Sequence, residues 1–409
     1  MRTTRPSPIR SLAPVAAVSV LLLAGVVPAV GAQAPVAVAD VMVPEPGGNG
    51  TNIATFTIRL VDTTRTLYLQ VSTAVPTGVP AATPASAGGG CGGHVDYLPL
   101  TAVGVTLSPS NRQQTVTVPL CGDAFDEADE RFLLRLVQSN GQSVNDNEAI
   151  GTITDDDPTP TLRINDVQLT EPQAGGMTTA TFNISLSAAS GRDVSFSWQT
   201  APAQAGLPAT GGVCGTPGSD FQPVALTPVT IPAYSPATNV SVTVCGDGVY
   251  EGNEALRVEL SALSPTAAFS DNAGVLSIMD REQPPTIAIA PTVNFGPAVP
   301  PSPLMNVAVF TISLAGPPTE RPVTVDYATV NGTATGSNSC LDVNLGGIVR
   351  RGGDYLSKSA TGFTITAPTT TVSVSYCKLR NISGRTFSLQ LTNVRNASPA
   401  TVSRAATLP

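Results

Sequence analysis

A stretch beginning Cys-Gly-Asp occurs twice in the chain and constrains its organisation more than any other feature. The first copy starts at Cys121 and the second at Cys245, and the Asp and two Glu that follow each cysteine recur without a gap. A third copy around Cys377 keeps the cysteine and its flanking apolar segments but contains no acidic residue. Self-similarity at a fixed period predicts an array of like domains. We therefore expect three structural copies, two of them acidic.

The composition favours short β-strands joined by turns. Of the 409 residues, 42% are hydrophobic and 12% are charged, and Gly and Pro number 37 each. In one predicted strand Phe56, Ile58 and Leu60 alternate with polar residues, which is the period of a half-buried strand. Each copy contains about seven such segments separated by turn signals, a pattern typical of a two-sheet antiparallel sandwich. The sequence thus predicts an all-β protein of three tandem antiparallel β-sandwiches.

The N-terminus has the features of an export signal. Arg2, Arg5 and Arg10 precede an apolar run over residues 12–30, which a small-residue Val-Gly-Ala cleavage site follows. An uncleaved anchor is the alternative, because the run is nearly long enough to span a bilayer. We expect a signal peptide over 1–32 and a secreted protein, either extracellular or periplasmic. The predicted sandwiches, called repeats one, two and three below, span 36–157, 160–282 and 285–409.

The charge of the exported part narrows the possible partners. The chain has 29 acidic and 21 basic residues, and three of the basic residues lie in the predicted signal. A net negative charge repels nucleic acid and anionic membranes and attracts cations, so cations are the favoured partners. We expect no membrane span after signal cleavage.

The six cysteines fall two per repeat. In an oxidising compartment the simplest connectivity is one disulfide inside each repeat. A zinc site is the competing interpretation, but the chain has no CxxC motif and His94 is its single histidine. The expected pairs are Cys91 with Cys121, Cys214 with Cys245, and Cys340 with Cys377.

Strand direction predicts where the acids lie. If seven strands A to G alternate in direction, the A–B, C–D and E–F loops and the end of strand G share one end of the sandwich. In repeat one that end collects both cysteines and most of the carboxylates, which would raise each other's pKa unless a cation neutralised them. A hard cation such as calcium is one interpretation, and a solvated acidic rim is the other. The acids gathered there are Glu45, Asp123, Asp126, Glu127, Asp129, Glu130 and Asp155–Asp157.

Several ordered motifs resemble those of a known family. They include the Glu after strand A, the Phe-x-Ile-x-Leu strand, the Gly-x-Asp-Tyr turn, the Asp-x-x-x-Glu-x-x-Glu loop and the closing Ile-Thr-Asp-Asp-Asp at 153–157. A further motif, Val-Asp-Tyr-Ala-Thr-Val-Asn-Gly-Thr-Ala, occupies 325–334. Together they resemble three tandem Calx-beta domains and cover about 36 to 408. The resemblance implies immunoglobulin-like sandwiches with calcium at the acidic end.

The resemblance also implies a set of metal ligands. In repeat one they are Glu45, Asp123, Glu127, Glu130, Asp155, Asp156 and Asp157. In repeat two they are Glu171, Asp247, Glu251, Glu254 and Asp280, although Arg281 stands where the family has an acid.

Repeat three departs from this pattern and is expected to bind no calcium. Gly296 replaces the Glu after strand A, Lys378 and Arg380 occupy the loop that is acidic elsewhere, and the closing acids are absent. Neither acidic repeat has the Asp-Gly-Thr-Ala run that supplies another ligand in the family. Asp96, Asp220 and Asp354 are predicted to be turn residues and not ligands.

The leading functional prediction is an exported, non-enzymatic calcium-binding array with a structural, adhesion or cell-surface role. Its partners would be calcium and a protein or cell-surface partner of unknown identity, and calcium near Asp157 is expected to stiffen the link between repeats one and two. No catalytic constellation is present, since His94 has no recurrent nucleophile beside it. The alternative is a metal-independent glycan- or protein-binding module that uses basic residues of repeat three, namely Arg350, Arg351, Lys358, Lys378 and Arg380.

Overall fold

Alternating apolar and polar residues form strands throughout the computed structural model of the chain. The described residues are 36–61, 64–76, 83–139, 143–297, 305–341, 343–345, 348–350, 352–365, 368–378 and 381–409. No helix occurs within these ranges, and hence none that is long and apolar enough to cross a membrane. The predicted signal peptide over 1–32 lies outside them.

The chain forms two compact units. The first comprises the described residues up to Asp123 together with Asp129–Asp155, and the second comprises Ala124–Ala128 and Asp156–Pro409. The short segment Ala124–Ala128 therefore belongs to the second unit, although it lies within predicted repeat one.

The first unit contains two sheets. One has the strand order β1-β3-β7 and the other β2-β9-β8-β4-β6, with β5 beside β8. Phe56 on β3 packs edge-to-face against Phe132 on β8 with ring centroids 5.9 Å apart, which joins the two sheets through one core. The strands are β1 (Val36–Val38), β2 (Val41–Pro44), β3 (Thr51–Leu60), β4 (Leu67–Ala74), β5 (Thr83–Pro84), β6 (Val103–Leu107), β7 (Gln113–Cys121), β8 (Glu130–Gln138) and β9 (Ser143–Thr154).

The first predicted strand is divided between the sheets. β1 pairs antiparallel with β3, whereas β2 pairs parallel with β9. Asp40 lies between them and accepts the Ile150 amide at 2.7 Å, so a side chain satisfies a donor where the ladder is interrupted. Repeat two has the same arrangement, in which Asp166 accepts the Val275 amide at 2.8 Å.

Repeat two occupies the first part of the second unit and has the same two-sheet form. Its sheets have the orders β15-β12-β10-β17 and β11-β18-β16-β13-β14 around one core that includes Trp198, the single tryptophan of the chain. The strands are β10 (Thr161–Ile164), β11 (Val167–Thr170), β12 (Met177–Leu186), β13 (Val194–Pro202), β14 (Thr227–Ile231), β15 (Ala237–Cys245), β16 (Glu254–Ser261), β17 (Ala268–Phe269) and β18 (Ala273–Met279).

Repeat three completes the second unit. Its main sheets have the orders β22-β25-β27-β20-β19-β29 and β26-β21-β28-β30, and β23 and β24 form a hairpin. Phe310 and Phe387 pack across the sheets at 5.8 Å. The strands are β19 (Thr286–Pro297), β20 (Met305–Ala315), β21 (Val323–Asn331), β22 (Gly336–Ser337), β23 (Val343–Leu345), β24 (Ile348–Arg350), β25 (Tyr355–Leu356), β26 (Ser359–Ile365), β27 (Thr369–Cys377), β28 (Thr386–Arg395), β29 (Ser398–Thr401) and β30 (Ser403–Thr407).

The prediction of an all-β protein built from tandem sandwiches is confirmed. Three hydrophobic cores are present, and Phe56, Ile58 and Leu60 all point into the first, as their alternation indicates. Each repeat also contains the disulfide that the simplest connectivity favours: Cys91–Cys121, Cys214–Cys245 and Cys340–Cys377. Such disulfides are typical of proteins in oxidising compartments.

Candidate metal centres

In repeat two, strand pairing brings the A–B loop, which lies between β11 and β12, to the end of the last strand, β18. β11 runs parallel to β18, so both finish at the same end of the sheet, and the Glu171 amide donates to the Met279 carbonyl at 2.9 Å. Glu171 is 4% exposed, and its Oε1 accepts the Asp247 amide at 3.1 Å. Glu171, Asp247 and Asp280 therefore gather at the end of the sandwich that strand direction predicts.

The close approach of these loops requires the glycine of the Cys-Gly-Asp motif. A Cβ on Gly246 would lie 2.1 Å from the carbonyl oxygen of Pro172, and a Cβ on Gly122 would lie 1.5 Å from that of Pro46. Neither distance leaves room for a carbon atom in a packed interior. The glycine thus lets the A–B loop, with its glutamate, reach the amide of the following aspartate.

Two groups of three carboxylates converge in repeat two. Within each group, one oxygen from each residue lies within 4.8 Å of the others. Asp280 connects the groups, because its Oδ2 accepts the amide of Glu251 at 2.8 Å and that of Gly252 at 2.6 Å. The first group consists of Glu171, Asp280 and Glu282, and the second of Asp220, Glu251 and Glu254.

In the first group, burial is the main cause of a raised pKa. It raises the pKa of Glu171 to about 7, and the neighbouring carboxylates add to the rise, whereas the hydrogen bond from the Asp247 amide opposes it. Burial, followed by the charge of Asp280, also raises the pKa of Glu282. When ionised, these carboxylates repel one another, and the charge of Arg281 opposes the rise only at Glu282.

The second group has the same electrostatic character. Burial and then the charge of Asp220 raise the pKa of Glu251. Burial and then the interaction with Asp220 raise the pKa of Glu254, against the effect of the Arg321 guanidinium. The Arg321 Nη2 lies 3.5 Å from Glu254 Oε1, so a residue of repeat three contacts this group within the second unit.

Two buried oxygens in these groups accept no hydrogen bond within the described part of the chain. They are Oε1 of Glu251 and Oε2 of Glu282, and Glu251 is only 4% exposed. A buried polar atom without a partner costs about 1–3 kcal/mol, and more when it is charged. A cation that accepts carboxylate oxygens as ligands would remove this cost, so the donor set fits a bound metal ion.

Repeat one has a related arrangement within the first unit. Glu45 is 7% exposed, its Oε1 accepts the Asp123 amide at 3.0 Å, and its amide donates to the Thr154 carbonyl at 2.8 Å. Oxygens of Glu45 and Asp155 lie within 4.8 Å, as do oxygens of Asp96 and Glu130. The expected convergence of the A–B loop, the E–F loop and the end of strand G is therefore present.

The other predicted ligands of repeat one belong to the second unit. They are Glu127, Asp156 and Asp157. Glu127 accepts a hydrogen bond from the Tyr234 hydroxyl at 3.1 Å. Asp126, which strand direction also assigned to the acidic end, is 3% exposed and forms an ion pair with Arg192 within the second unit. Its charge is thus already neutralised by an arginine.

In repeat three an arginine lies beside the aspartate of the Gly-x-Asp turn. Asp354 is 1% exposed, and its Oδ2 accepts the Arg385 Nη1 at 2.9 Å and the Thr335 amide at 2.9 Å. Burial opposes ionisation of Asp354, but these hydrogen bonds hold its pKa below the usual range. No group of three acids converges among the described residues of repeat three.

The basic residues singled out in repeat three are only partly described. Lys358 donates its Nζ to the Ser373 carbonyl at 2.8 Å. Arg351 and Arg380, together with the side chain of Arg350, lie outside the described residues. Arg385, which was not chosen from the sequence, is the residue that forms an ion pair with Asp354.

Sequence reasoning missed three members of the carboxylate groups: Asp96, Asp220 and Glu282. Assigning Asp220 to a turn was incomplete, because its Oδ2 accepts the Thr210 amide and the same carboxylate also approaches Glu251 and Glu254. The available signal was an aspartate that lies 25 residues before the second cysteine in repeats one and two and 23 residues before it in repeat three. Glu282 was obscured because Arg281 interrupts the closing acidic run.

Several solved structures align with the chain at low sequence identity and low TM-score. The CBD12 structure from CALX1.2 is 12% identical and covers 59% of this chain and 97% of that chain, with a TM-score of 0.24. The structure of calcium binding domain CBD12 of CALX1.1 is 13% identical and covers 59% and 99%, with a TM-score of 0.23. Titin domains I67–I69 are 11% identical and cover 91% and 97%, with a TM-score of 0.26. No match was found among curated proteins.

The model of the Calx-beta domain matches in three segments, over residues 84–157, 167–282 and 302–344. These segments make up more than half of the chain, and each falls within a different repeat. They include the loops that carry the two carboxylate groups of repeat two. The chain therefore belongs to the Calx-beta domain family.

Proposed function

We infer that this chain is an exported, non-enzymatic calcium-binding array that serves as a structural, adhesion or cell-surface interaction protein. The observation that carries this inference is the pair of carboxylate groups in repeat two. Their carboxylates are buried or half-buried and mutually repulsive, and they include two buried oxygens without a hydrogen-bond partner among the described residues. Family membership supports the same metal.

The chemistry of the ligands favours calcium over other cations. All the side chains in the groups are carboxylates, and several lie on loops that can adjust to six to eight oxygen ligands. Zinc prefers cysteine and histidine, but all six cysteines are disulfide-bonded. The proposed ligands of repeat two are Glu171, Asp220, Asp247, Glu251, Glu254, Asp280 and Glu282.

Repeat one would bind calcium through a related set, and repeat three would not. The contacts of Glu45 with Asp123 and Asp155 repeat those of Glu171 with Asp247 and Asp280. Within the first unit Glu130 belongs to the set proposed for repeat one, and Glu127, Asp156 and Asp157 remain predictions from the sequence. In repeat three, Arg385 supplies a permanent positive charge beside Asp354.

The position of the groups in the second unit suits a mechanical role. Glu282 directly precedes the Gln-Pro-Pro linker to repeat three. In the adjacent loop, the Tyr250 amide donates to the Pro318 carbonyl at 2.8 Å, and Glu254 contacts Arg321. A cation bound by this loop would hold residues that already touch the next repeat, which is how an extracellular spacer would be stiffened.

Calorimetric titration of the full chain with calcium tests the proposal. We expect the unmodified chain to bind calcium. The double variant Glu171→Gln/Asp280→Asn should bind fewer calcium ions, because those held by repeat two are lost. Glu259→Gln, on β16 outside both groups, is the matched control and is expected to bind as the unmodified chain does. Absence of calcium binding by the unmodified chain would reject the metal proposal.

Small-angle scattering tests the mechanical role separately. The maximum dimension and the spread of dimensions of the chain are compared in calcium and in chelator. We expect chelation to broaden the distribution. An unchanged distribution together with demonstrated calcium binding would leave calcium as a ligand but reject stiffening.

A further inference from the structure

In repeats one and two, a further strand covers the outer edge of the last strand. β2 pairs parallel with β9, and β11 pairs parallel with β18. Each covering strand directly follows an aspartate that accepts an amide of the last strand. Asp40 accepts the amide of Ile150 at 2.7 Å, and Asp166 accepts that of Val275 at 2.8 Å. The aspartate and the strand after it together satisfy the backbone groups along this edge.

In repeat three, the corresponding edge of β30 is open within the described part of the chain. β30 is the last strand and ends its sheet, in the order β26-β21-β28-β30. Across the β28–β30 ladder, the Leu408 amide donates to the Arg385 carbonyl at 2.8 Å. Backbone groups alternate in direction along a strand, so the N–H and C=O groups of Ser403, Ala405 and Thr407 point away from β28. These groups form an acceptor edge for another strand.

A proline in the first strand of repeat three stands where the other repeats have the aspartate. Asp166 precedes Glu171 by five residues, and Pro291 precedes Gly296, the counterpart of Glu171, by the same number. A proline has no carboxylate with which to accept an amide of the last strand. After a register shift at this point, β19 continues along β20 and does not pair with β30. Repeat three therefore has the acceptor edge without the strand that covers it elsewhere.

An arginine occupies the place beside which the first strand crosses between the sheets in the other repeats. Those repeats have small residues there, Ala149 and Gly274, and a Cβ on Gly274 would already lie 2.6 Å from the Asn165 carbonyl oxygen. In repeat three the position is taken by Arg404, opposite the fully buried Leu389, so its side chain points toward the core. A segment that covers β30 therefore has to come from outside this repeat.

The charge at this edge favours an acidic segment. Nε of Arg404 is buried and has no hydrogen-bond partner among the described residues. An inward-pointing charge on an edge strand discourages pairing with uncharged strands, whereas a carboxylate would offset it. Residues 285–409 contain nine basic and four acidic residues, whereas residues 36–282 contain nine basic and 25 acidic ones. Repeat three thus attracts acidic segments, unlike the rest of the exported chain.

We propose that the outer edge of β30 binds an extended acidic segment of another protein by strand addition. The segment pairs parallel with β30, as β11 pairs with β18, and an aspartate at its start accepts the Ala405 amide. Main-chain hydrogen bonds provide the affinity, and the carboxylate beside Arg404 provides the selectivity. This interaction does not involve the carboxylate groups of the other repeats and goes beyond the calcium-binding role.

Amide hydrogen exchange of the full chain, followed by mass spectrometry, locates the binding. The probe is a capped peptide of residues 166–171, which contains the aspartate and the alternating residues of β11. The control is a capped peptide of residues 291–296, which begins with the proline. In chelator, we expect the probe to slow exchange at 403–407 and the control to leave it unchanged. An Asp166→Asn probe is expected to bind about tenfold more weakly, because it brings no charge to Arg404.

Variants of the full chain test the backbone groups and the arginine separately. Ala405→Pro removes an outward N–H, and an edge strand tolerates proline at such a position. We expect it to weaken binding of the probe about tenfold or more. Ala405→Ser retains the N–H and is the matched control, expected to bind as the unmodified chain does. Arg404→Gln is expected to remove most of the difference between the probe and its Asp166→Asn form.

Several outcomes would overturn the proposal. One is the absence of slowed exchange at 403–407 with the probe at about 1 mM, the weakest affinity that strand addition of this kind would have. Slowed exchange only at another edge, such as β7 or β15, would reject the assignment to β30. Unweakened binding by a folded Ala405→Pro chain would do the same. If calorimetry shows that this variant does not fold, the exchange pattern of the unmodified chain and the Arg404→Gln comparison decide.

Discussion

Without calcium, the stability of repeat two is expected to fall as the pH rises from about 5 to 8. Burial raises the pKa of Glu171 from 4.5 to about 7, and the carboxylates around it add to the rise. The folded state therefore binds this proton more tightly than the unfolded state does. Its contribution to stability is fully present below pH 4.5 and is lost as the pH passes through about 7.

The size of the effect follows from the shift. A rise from 4.5 to about 7 corresponds to up to about 3 kcal/mol, because one pKa unit is worth about 1.4 kcal/mol. Little discount for solvent screening is needed, since Glu171 is 4% exposed. The raised pKa values of Glu251 and Glu254 act in the same direction and extend the decline above pH 7.

Urea unfolding in chelator, followed by the emission of Trp198, measures this dependence in the full chain. We expect the free energy of unfolding of repeat two to fall between pH 5 and 8, and we expect Glu171→Gln to make this fall smaller. Glu259→Gln is the control and should show the same fall with pH as the unmodified chain. Saturating calcium should reduce the slope, because a bound cation stabilises the ionised carboxylates. Stability that stays constant or rises with pH in chelator would refute the reasoning.

Three further variants test individual contacts. Gly246→Ala is expected to lower the free energy of unfolding of repeat two by about 1–3 kcal/mol, measured with Trp198, because its Cβ would lie 2.1 Å from the Pro172 carbonyl oxygen. Arg385→Gln is expected to destabilise repeat three by about 1–3 kcal/mol in scanning calorimetry, because buried Asp354 loses its charged hydrogen-bond donor. Adding Asp354→Asn should recover part of this stability, because the buried charge is then also removed. Arg321→Gln should tighten calcium binding by repeat two about two- to fivefold in calorimetric titration, because the guanidinium 3.5 Å from Glu254 competes with the cation; weaker binding would contradict this.

Most of the fold could be predicted from the alternation of apolar residues, the repeat of motifs along the chain and the direction of successive strands. The alternation around Phe56 identified a core strand, and the repeat of the Cys-Gly-Asp motif identified the tandem arrangement. The division of the first strand was not predicted, because it depends on Asp40 accepting the Ile150 amide where the chain changes sheets. A side-chain bond of that kind joins residues far apart in sequence and leaves no local pattern.

The candidate site was predicted less completely than the fold. Strand direction correctly brought Glu45 and Asp155 to one end, since it depends only on the order of the strands. It did not distinguish acids that face the group from an acid such as Asp126, which is paired with Arg192. Which way a loop carboxylate faces depends on contacts outside its own sandwich, and no spacing within one repeat encodes them.

The three copies of the Gly-x-Asp turn indicate how the same fold can place either an arginine or other carboxylates beside a buried aspartate. In each copy the disulfide, and a hydrogen bond from the amide of the second cysteine to the aspartate carbonyl, hold the aspartate before any counter-ion is considered. Burial of that carboxylate then demands a positive charge. Arg385 supplies the charge permanently beside Asp354, whereas Asp220 faces two more carboxylates, of which only Glu254 contacts an arginine, Arg321, so a bound cation would offset their repulsion. Without Arg385, the buried Asp354 carboxylate would keep only its hydrogen bonds from Thr335, so the arginine provides the positive charge that a bound cation would otherwise provide.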